Sequence, residues 1–179
     1  MYIEADLKEL DALIEKFENA GRTPYHFYRD VSHELAARLL ELVIMKTPTG
    51  DYPNSSGRKG GTLKRGWMAK SHKQAAGGSG EPTPSQARSF AYKLPINHKG
   101  SIYQITVSNP VEYASYVEFG HRTRRGNGAK TNSGNGNKKR GWVDGKYMLT
   151  ISEEELKHEQ RAIIEEKIEE WLEVVFDDK

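Results

Sequence analysis

Apolar positions recur at helical spacing in the first quarter of the chain. Residues 4–18 place Leu7, Leu10, Ile14 and Phe17 on one stripe, which predicts an amphipathic helix. Asn19, Ala20 and Gly21 stop it, with Gly21 suited to the left-handed closing conformation. A second helix is predicted from Thr23 as cap and Pro24 in its first turn, carrying Tyr28, Val31, Leu35, Leu39 and Leu42. It ends near Lys46, because Thr47 precedes Pro48 and is pushed away from helical angles.

The pattern then breaks. Residues 47–61 are turn-forming throughout and read as a long loop. TLKRGWMAK offers a strand around Trp67, and KQAAGGSGEPTPSQ reads as a flexible connection. RSFAYKL and SIYQITVS are the strongest strand candidates, with INHKGS as the turn between them. Alternation of Tyr103, Ile105 and Val107 against Ile102, Gln104, Thr106 and Ser108 predicts one buried face.

Asn109 as cap, Pro110 and Glu112 predict a short helix over VEYASYVEF, terminated by Gly120. GWVDGKYMLT reads as a strand or hairpin. Ser152 and Glu155 form a capping-box pattern for a last helix with Leu156, Ile163, Ile164, Ile168, Trp171, Leu172 and Val175 on its apolar face. The expected class is α+β: a small, mostly antiparallel sheet packed against two long helices plus a short helix. The expected organisation is an N-terminal helix over 1–22 and one domain over 23–179, with mobile loops at about 47–62, 72–87 and 121–141.

Charge adds an asymmetry that the net value of +2 conceals. From His121 to Lys146 the basic residues are Arg122, Arg124, Arg125, Lys130, Lys138, Lys139, Arg140 and Lys146, against Asp144 alone. Beyond Glu153 the chain is strongly acidic. Separated blocks of opposite sign suit head-to-tail contact between copies or a basic loop aimed at an acidic partner. A solvated helix face beside a loose loop is the plainer alternative. With no cysteine, disulfides, thiolate chemistry and Cys-ligated metals are excluded. No apolar run approaches the roughly 18–20 residues that a membrane helix needs, so no membrane partner is expected. The acidic N-terminus does not read as a secretory signal.

Candidate chemistry is sparse. RRGNGAKT puts Ala129 before Lys130 and Arg124 where a phosphate loop needs its first glycine, and it follows a helix rather than a strand. His26 and His33, near Asp30 and Glu34, lack the spacing that sets two imidazoles a turn apart, and read as a solvated helix face. Ser79 in GGSG has no strand before it and reads as linker. No catalytic constellation and no cofactor site emerges, which disfavours an enzyme. Nucleic-acid binding through the 122–141 loop remains the main alternative. It would give steeply salt-dependent affinity, although no aromatic lies between Arg122 and Arg140 for bases to stack on.

Three segments in order, KTPTGD with GTLKRGW, then NPVEYASYVEFGHR, then GWVDGKYML, resemble the tail-completion or head–tail joining proteins of long-tailed bacteriophages and related prophages. The likeness spans roughly residues 31–175. The resemblance implies a small α+β subunit that assembles into a ring, typically of six copies, at the neck where tail tube meets head connector. Its partners would be itself, the tail tube protein and the head-closure or connector protein, with DNA only as passing cargo. It would reside in the virion neck or tail, and in the bacterial host cytoplasm during assembly.

On the family's motif fall Tyr113, Ala114, Glu118, Gly120 and His121, and on its closing segment Trp142, Gly145 and Met148. Core positions for Tyr113, Trp142 and Met148 and a helix stop at Gly120 are the structural reading of these. Glu118 and His121, with Arg122, Arg124, Arg125, Lys138, Lys139 and Arg140, are the candidate interface residues. Two departures stand out: the YPNSSGRKGG insertion, and a basic loop longer than the family's usual turn.

Overall fold

The computed structural model describes residue 15 and residues 24–52, 60–100, 102–122 and 142–176. The predicted helix over 4–18 and its stop at 19–21, with the cap at Thr23, lie outside the described residues apart from Glu15, which is helical. Helix α1 runs Pro24–Lys46 and helix α6 runs Met148–Phe176. Between them come α2 (Thr62–Gly66), α3 (His72–Gly77), α4 (Pro84–Ala91), β1 (Ile96–Lys99), β2 (Ile102–Ile105), α5 (Ala114–Phe119), β3 (Gly120–Arg122) and β4 (Trp142–Asp144). The class is mixed α and β as expected. The strands form two separate antiparallel pairs, β1–β2 and β3–β4, instead of one sheet.

The core gathers on one side of α1. Ala36, Ala37, Leu40, Val43 and Ile44 pack with Leu63, Trp67, Ala75, Ala87, Ala91, Val111 and Met148. Helix α1 packs against both α4 and α6. Small residues on α1 (Ala36, Ala37) and α4 (Ala87, Ala91) let those axes approach closely, while α6 lies along α1 held by ion pairs. Arg38 pairs with Glu159 and Lys46 with Glu155, and Phe27 meets Trp171 with ring centroids 5.5 Å apart. These three contacts fix α6 antiparallel to α1.

Several predicted elements change type, each for a local reason. The strand expected around Trp67 is helix α2, because Leu63, Gly66 and Trp67 share one buried helical face. Trp67 Nε1–H donates to Thr47 Oγ1 at 2.8 Å, joining two buried side chains just past the ends of α2 and α1. RSFAYKL, expected as a strand, is split: Arg88 to Ala91 form the second half of α4, and Tyr92, Lys93 and Leu94 make the turn that follows it. Thr83 and Gln86 form a full capping box with Pro84 in the first turn, and Ala87 and Ala91 recur one turn apart inside the core. INHK, expected as a turn, is strand β1, and the turn narrows to the region of Gly100 at φ 61°.

The loop expected over 72–87 is largely structured. Ser71 caps α3, and Arg65 donates to the carbonyls of Ala75, Gly80 and Gly60, closing that stretch over α2. Asn109 caps nothing: its amide donates to Leu63 O and its oxygen accepts from Val111 N, so α5 starts only at Ala114. Ser152 sits inside α6, its hydroxyl donating to Met148 O, and the helix begins five residues earlier than a cap at Ser152 would place it. The alternation holds through β2 and the residues just after it, with Tyr103, Ile105 and Val107 half-buried and Ile102, Gln104, Thr106 and Ser108 exposed.

Candidate interaction surface

Helix α5 ends where Gly120 adopts φ 80° and ψ 172°, and the chain turns directly into β3. Strand β4 pairs with it antiparallel: Gly120 opposite Asp144, His121 opposite Val143, Arg122 opposite Trp142. Gly145 follows β4 against the end of α5. A Cβ there would lie 2.3 Å from Glu118 O, so only glycine permits this approach. Lys146 N donates to Val117 O and Tyr147 N to Glu118 O, which locks the crossing. Tyr147 takes φ 49°, and Met148 then enters the core.

Glu118 organises the junction. It is 6% exposed; its two oxygens accept from Leu149 N, Thr150 N and Thr150 Oγ1 at 2.9–3.0 Å. A carboxylate that takes up the first amides of a long helix satisfies donors without intrahelical partners and complements the helix dipole. Glu118 was expected as an interface residue. Its carboxylate is instead engaged within the chain, linking α5 to α6.

The other candidate residues divide. His121 and Arg122 are exposed on β3, with the His121 ring 5.8 Å from that of Tyr116. Arg124, Arg125, Lys138, Lys139 and Arg140 lie outside the described residues. The pairing of Arg122 with Trp142 nevertheless sets the entry and exit of that basic tract side by side. Among the family-motif residues, Met148 is core, Ala114 packs against it half-buried, and Gly120 ends α5 as expected. Trp142 and Tyr113 are not core: they are 57% and 38% exposed.

Phe119, Tyr116, Val143, Tyr147 and Ile151 are exposed as well. Opposed residues of an antiparallel pair share a face, so Trp142 lies on one side of the β3–β4 ribbon and Val143 on the other. Both faces of a two-stranded ribbon therefore present apolar side chains to water. Such ribbons are marginal alone and gain most from being covered. The sequence leaves Trp142 open between core and contact, and Phe119 and Tyr147 are not among its interface candidates, because nothing in an apolar residue's identity says which side of a short ribbon will be packed.

At the far end of α1 a second exposed group forms. Tyr28 stacks on Tyr103 at 5.3 Å, and His98 stacks on Tyr103 at 4.3 Å. Tyr25 meets both rings edge-on or tilted at 5.9 Å. Tyr25, Tyr28 and Ile102 remain largely in water.

The remaining polar groups are structural. His33, expected on a solvated face, is buried. Its Nε2 lies 3.2 Å from Leu94 O, and its ring stacks on Tyr92. Tyr92 and Arg88 both donate to Glu34, tying α4 to α1. Burial, together with the bond to Glu34, pushes the Tyr92 phenol up to about 12. The bond from Arg38 holds Glu159 below the usual carboxylate range. A groove beside α2–α4 is lined by Arg65, Gln74, Gln86 and Lys93, with the Arg65 guanidinium already bonded to carbonyls of its own chain. Among the described residues, no three His, Asp or Glu side chains converge as a metal site, and no helix is long and apolar enough to cross a membrane.

The model of the family described as "Bacteriophage HK97-gp10, putative tail-component" matches residues 11–120, more than half of the 179-residue chain. The match covers α1 to α5 and stops at Gly120, before the basic tract, β4 and α6. No curated protein and no solved structure matches the chain.

Proposed function

The chain belongs to the HK97-gp10-like family of bacteriophage tail components, and from that premise we propose that it is a ring-forming subunit that completes the tail end and joins it to the head connector. Its work is protein–protein recognition: copies of itself, the tail tube protein on one side, and the head-closure protein on the other. DNA passes through the ring as cargo. The subunit acts at the virion neck, and is assembled in the bacterial host cytoplasm.

The observation that carries this reading is the β3–β4 ribbon. It exposes Trp142 and Val143 on opposite faces at the root of a long basic tract. A short ribbon apolar on both sides is a poor surface for a solitary subunit and a good one for an assembled subunit. His121, Arg122, Arg124, Arg125, Lys138, Lys139 and Arg140 are the proposed polar contacts around it.

The test is native mass spectrometry of the chain with and without tail tube protein. A closed ring, expected at six copies, that caps tubes supports the proposal. A chain that stays monomeric and never associates with tubes or connectors contradicts it. The rival reading, nucleic-acid binding through the basic tract, predicts DNA affinity whose salt dependence flattens when Arg124, Arg125, Lys138, Lys139 and Arg140 are neutralised.

A further inference from the structure

We infer that residues 4–18 of this chain cover the side of the α1–α6 pair that is turned away from α4. On α1, Leu35 and Leu39 each lie two residues from Ala37, which packs with Ala87 and Ala91 of α4 in the core. At about 100° per residue, a step of two residues turns a side chain about 160° round the helix. On α6, Ile168 and Leu172 stand in the same relation to Glu170, which lines a cavity with Tyr92 just past α4. Both apolar pairs therefore sit on the side opposite α4. Leu35, Leu39 and Leu172 are half-buried there, and Ile168 is 39% exposed. Among the described elements, α6 packs extensively against α1 alone. A helix pair with an apolar outer side is stabilised by a further layer over it.

The segment directly before α1 fits that side in pattern, length and direction. Leu7, Leu10, Ile14 and Phe17 recur at helical spacing, and Glu15, helical and exposed, lies off that stripe. As a helix, residues 4–18 span about 22 Å, shorter than the 23-residue α1 they would lie along. The break at Asn19, Ala20 and Gly21 leaves a short connection before α1 begins at Pro24. Short connections set consecutive helices antiparallel. Folded back along α1, the segment runs parallel to α6, because Phe27 meets Trp171 and Lys46 meets Glu155. Phe17 then falls beside Leu172, and Ile14 beside Ile168. The short tether gives the segment a high effective concentration at its own α1–α6 pair, which favours that site over the same site on a second copy.

The chain contains no cysteine, so introduced thiols report contacts directly. Two full-length double variants sample the register: Ile14→Cys with Ile168→Cys, and Phe17→Cys with Leu172→Cys. Oxidised glutathione at dilute protein concentration should close an intrachain disulfide in at least one of them. It is read as a faster-migrating monomer on a non-reducing gel, with no free thiol left to titrate. Disulfide-linked dimers without an intrachain bond overturn the contact in favour of a segment exchanged with a second copy. Free thiols in both variants overturn it outright.

A second measurement needs no crosslink. Ile14→Ala and Ile168→Ala should each lower the melting temperature, and the two together should lower it by less than the sum. Strictly additive shifts, or no shift from Ile14→Ala, overturn the contact. Neither readout depends on assembly, so a chain that forms no ring with tube protein would defeat the ring reading and leave this contact standing.

Discussion

Glu118 and Thr150, 32 positions apart in sequence, are joined twice: one carboxylate oxygen of Glu118 accepts both the backbone amide and the hydroxyl of Thr150. This clamp fixes the N-terminus of α6 to the end of α5, and so fixes the β3–β4 ribbon relative to the long-helix pair.

Removing the clamp should loosen that junction. Glu118→Ala leaves buried helix amides without acceptors, so a loss of about 2–3 kcal/mol in chemical denaturation is expected. Thr150→Ala removes only the hydroxyl and should cost roughly 1 kcal/mol. Equal, negligible losses for both would show that the clamp does not hold the junction.

Glycine 145 offers a steric test of the same junction. Gly145→Ala places a methyl 2.3 Å from Glu118 O and 2.7 Å from Phe119 C, both backbone atoms, so the ribbon must shift. A loss of more than about 2 kcal/mol is expected. Gly77→Ala is the control: nothing lies within 4 Å of a Cβ there, at the end of α3. That change should be neutral or stabilise by up to about 1 kcal/mol. Matching melting shifts for the two variants would contradict the described approach.

Thr47→Val probes the bond that anchors α2 to the end of α1. It keeps the side-chain shape but leaves Trp67 Nε1–H buried without its acceptor. The expected cost is about 1–3 kcal/mol. Adding Trp67→Phe, which removes the orphaned donor, should make the second step less damaging than the same change in the wild type. Strict additivity in this double-mutant cycle would mean that the bond contributes nothing.

The Tyr92–Glu34 bond predicts an alkaline signature. The Tyr92 phenol is held protonated up to about 12, above the ordinary tyrosine value of roughly 10. Its contribution is therefore complete below pH of about 10 and lost as pH rises through about 12. Tyr92→Phe should be less stable than wild type at neutral pH, and the gap should narrow across that alkaline window. A gap that is constant with pH would separate the bond from the titration. The ultraviolet phenolate band gives the direct readout.

What could be read in advance depended on whether the decisive contact was local. Helix α1 ends at Lys46 because Pro48 restricts Thr47, and α5 ends at Gly120; both stops lie in the sequence itself. The alternation in β2 was equally local. Leu63, Gly66 and Trp67 share a helical face only because the core against α1 accepts them, and TLKRGWMAK, with Trp67 as its one aromatic, carries no local period that separates helix from strand. In α4, TPSQ held a capping box, but its setting in a Gly/Pro/Ser-rich stretch masked it. The start of α6 could not be read locally, since its capping group, Glu118, comes from more than thirty residues away. Exposure of Trp142 followed the same logic: a two-stranded ribbon offers no second layer to bury it.

The ribbon's exposed side chains should matter for assembly more than for folding. Trp142→Ser and Phe119→Ser lie at positions 57% and 61% exposed, so each should change monomer stability by no more than about 0.5 kcal/mol. Both should prevent ring formation and tube capping. Variants that assemble normally would remove the ribbon from the interface.

The central claim meets its most direct test in native mass spectrometry of the intact chain mixed with tail tube protein. The account predicts a closed ring, expected at six copies, bound at tube ends and lost in Trp142→Ser at unchanged monomer stability. A chain that remains monomeric and free of tubes at every concentration tried would contradict it.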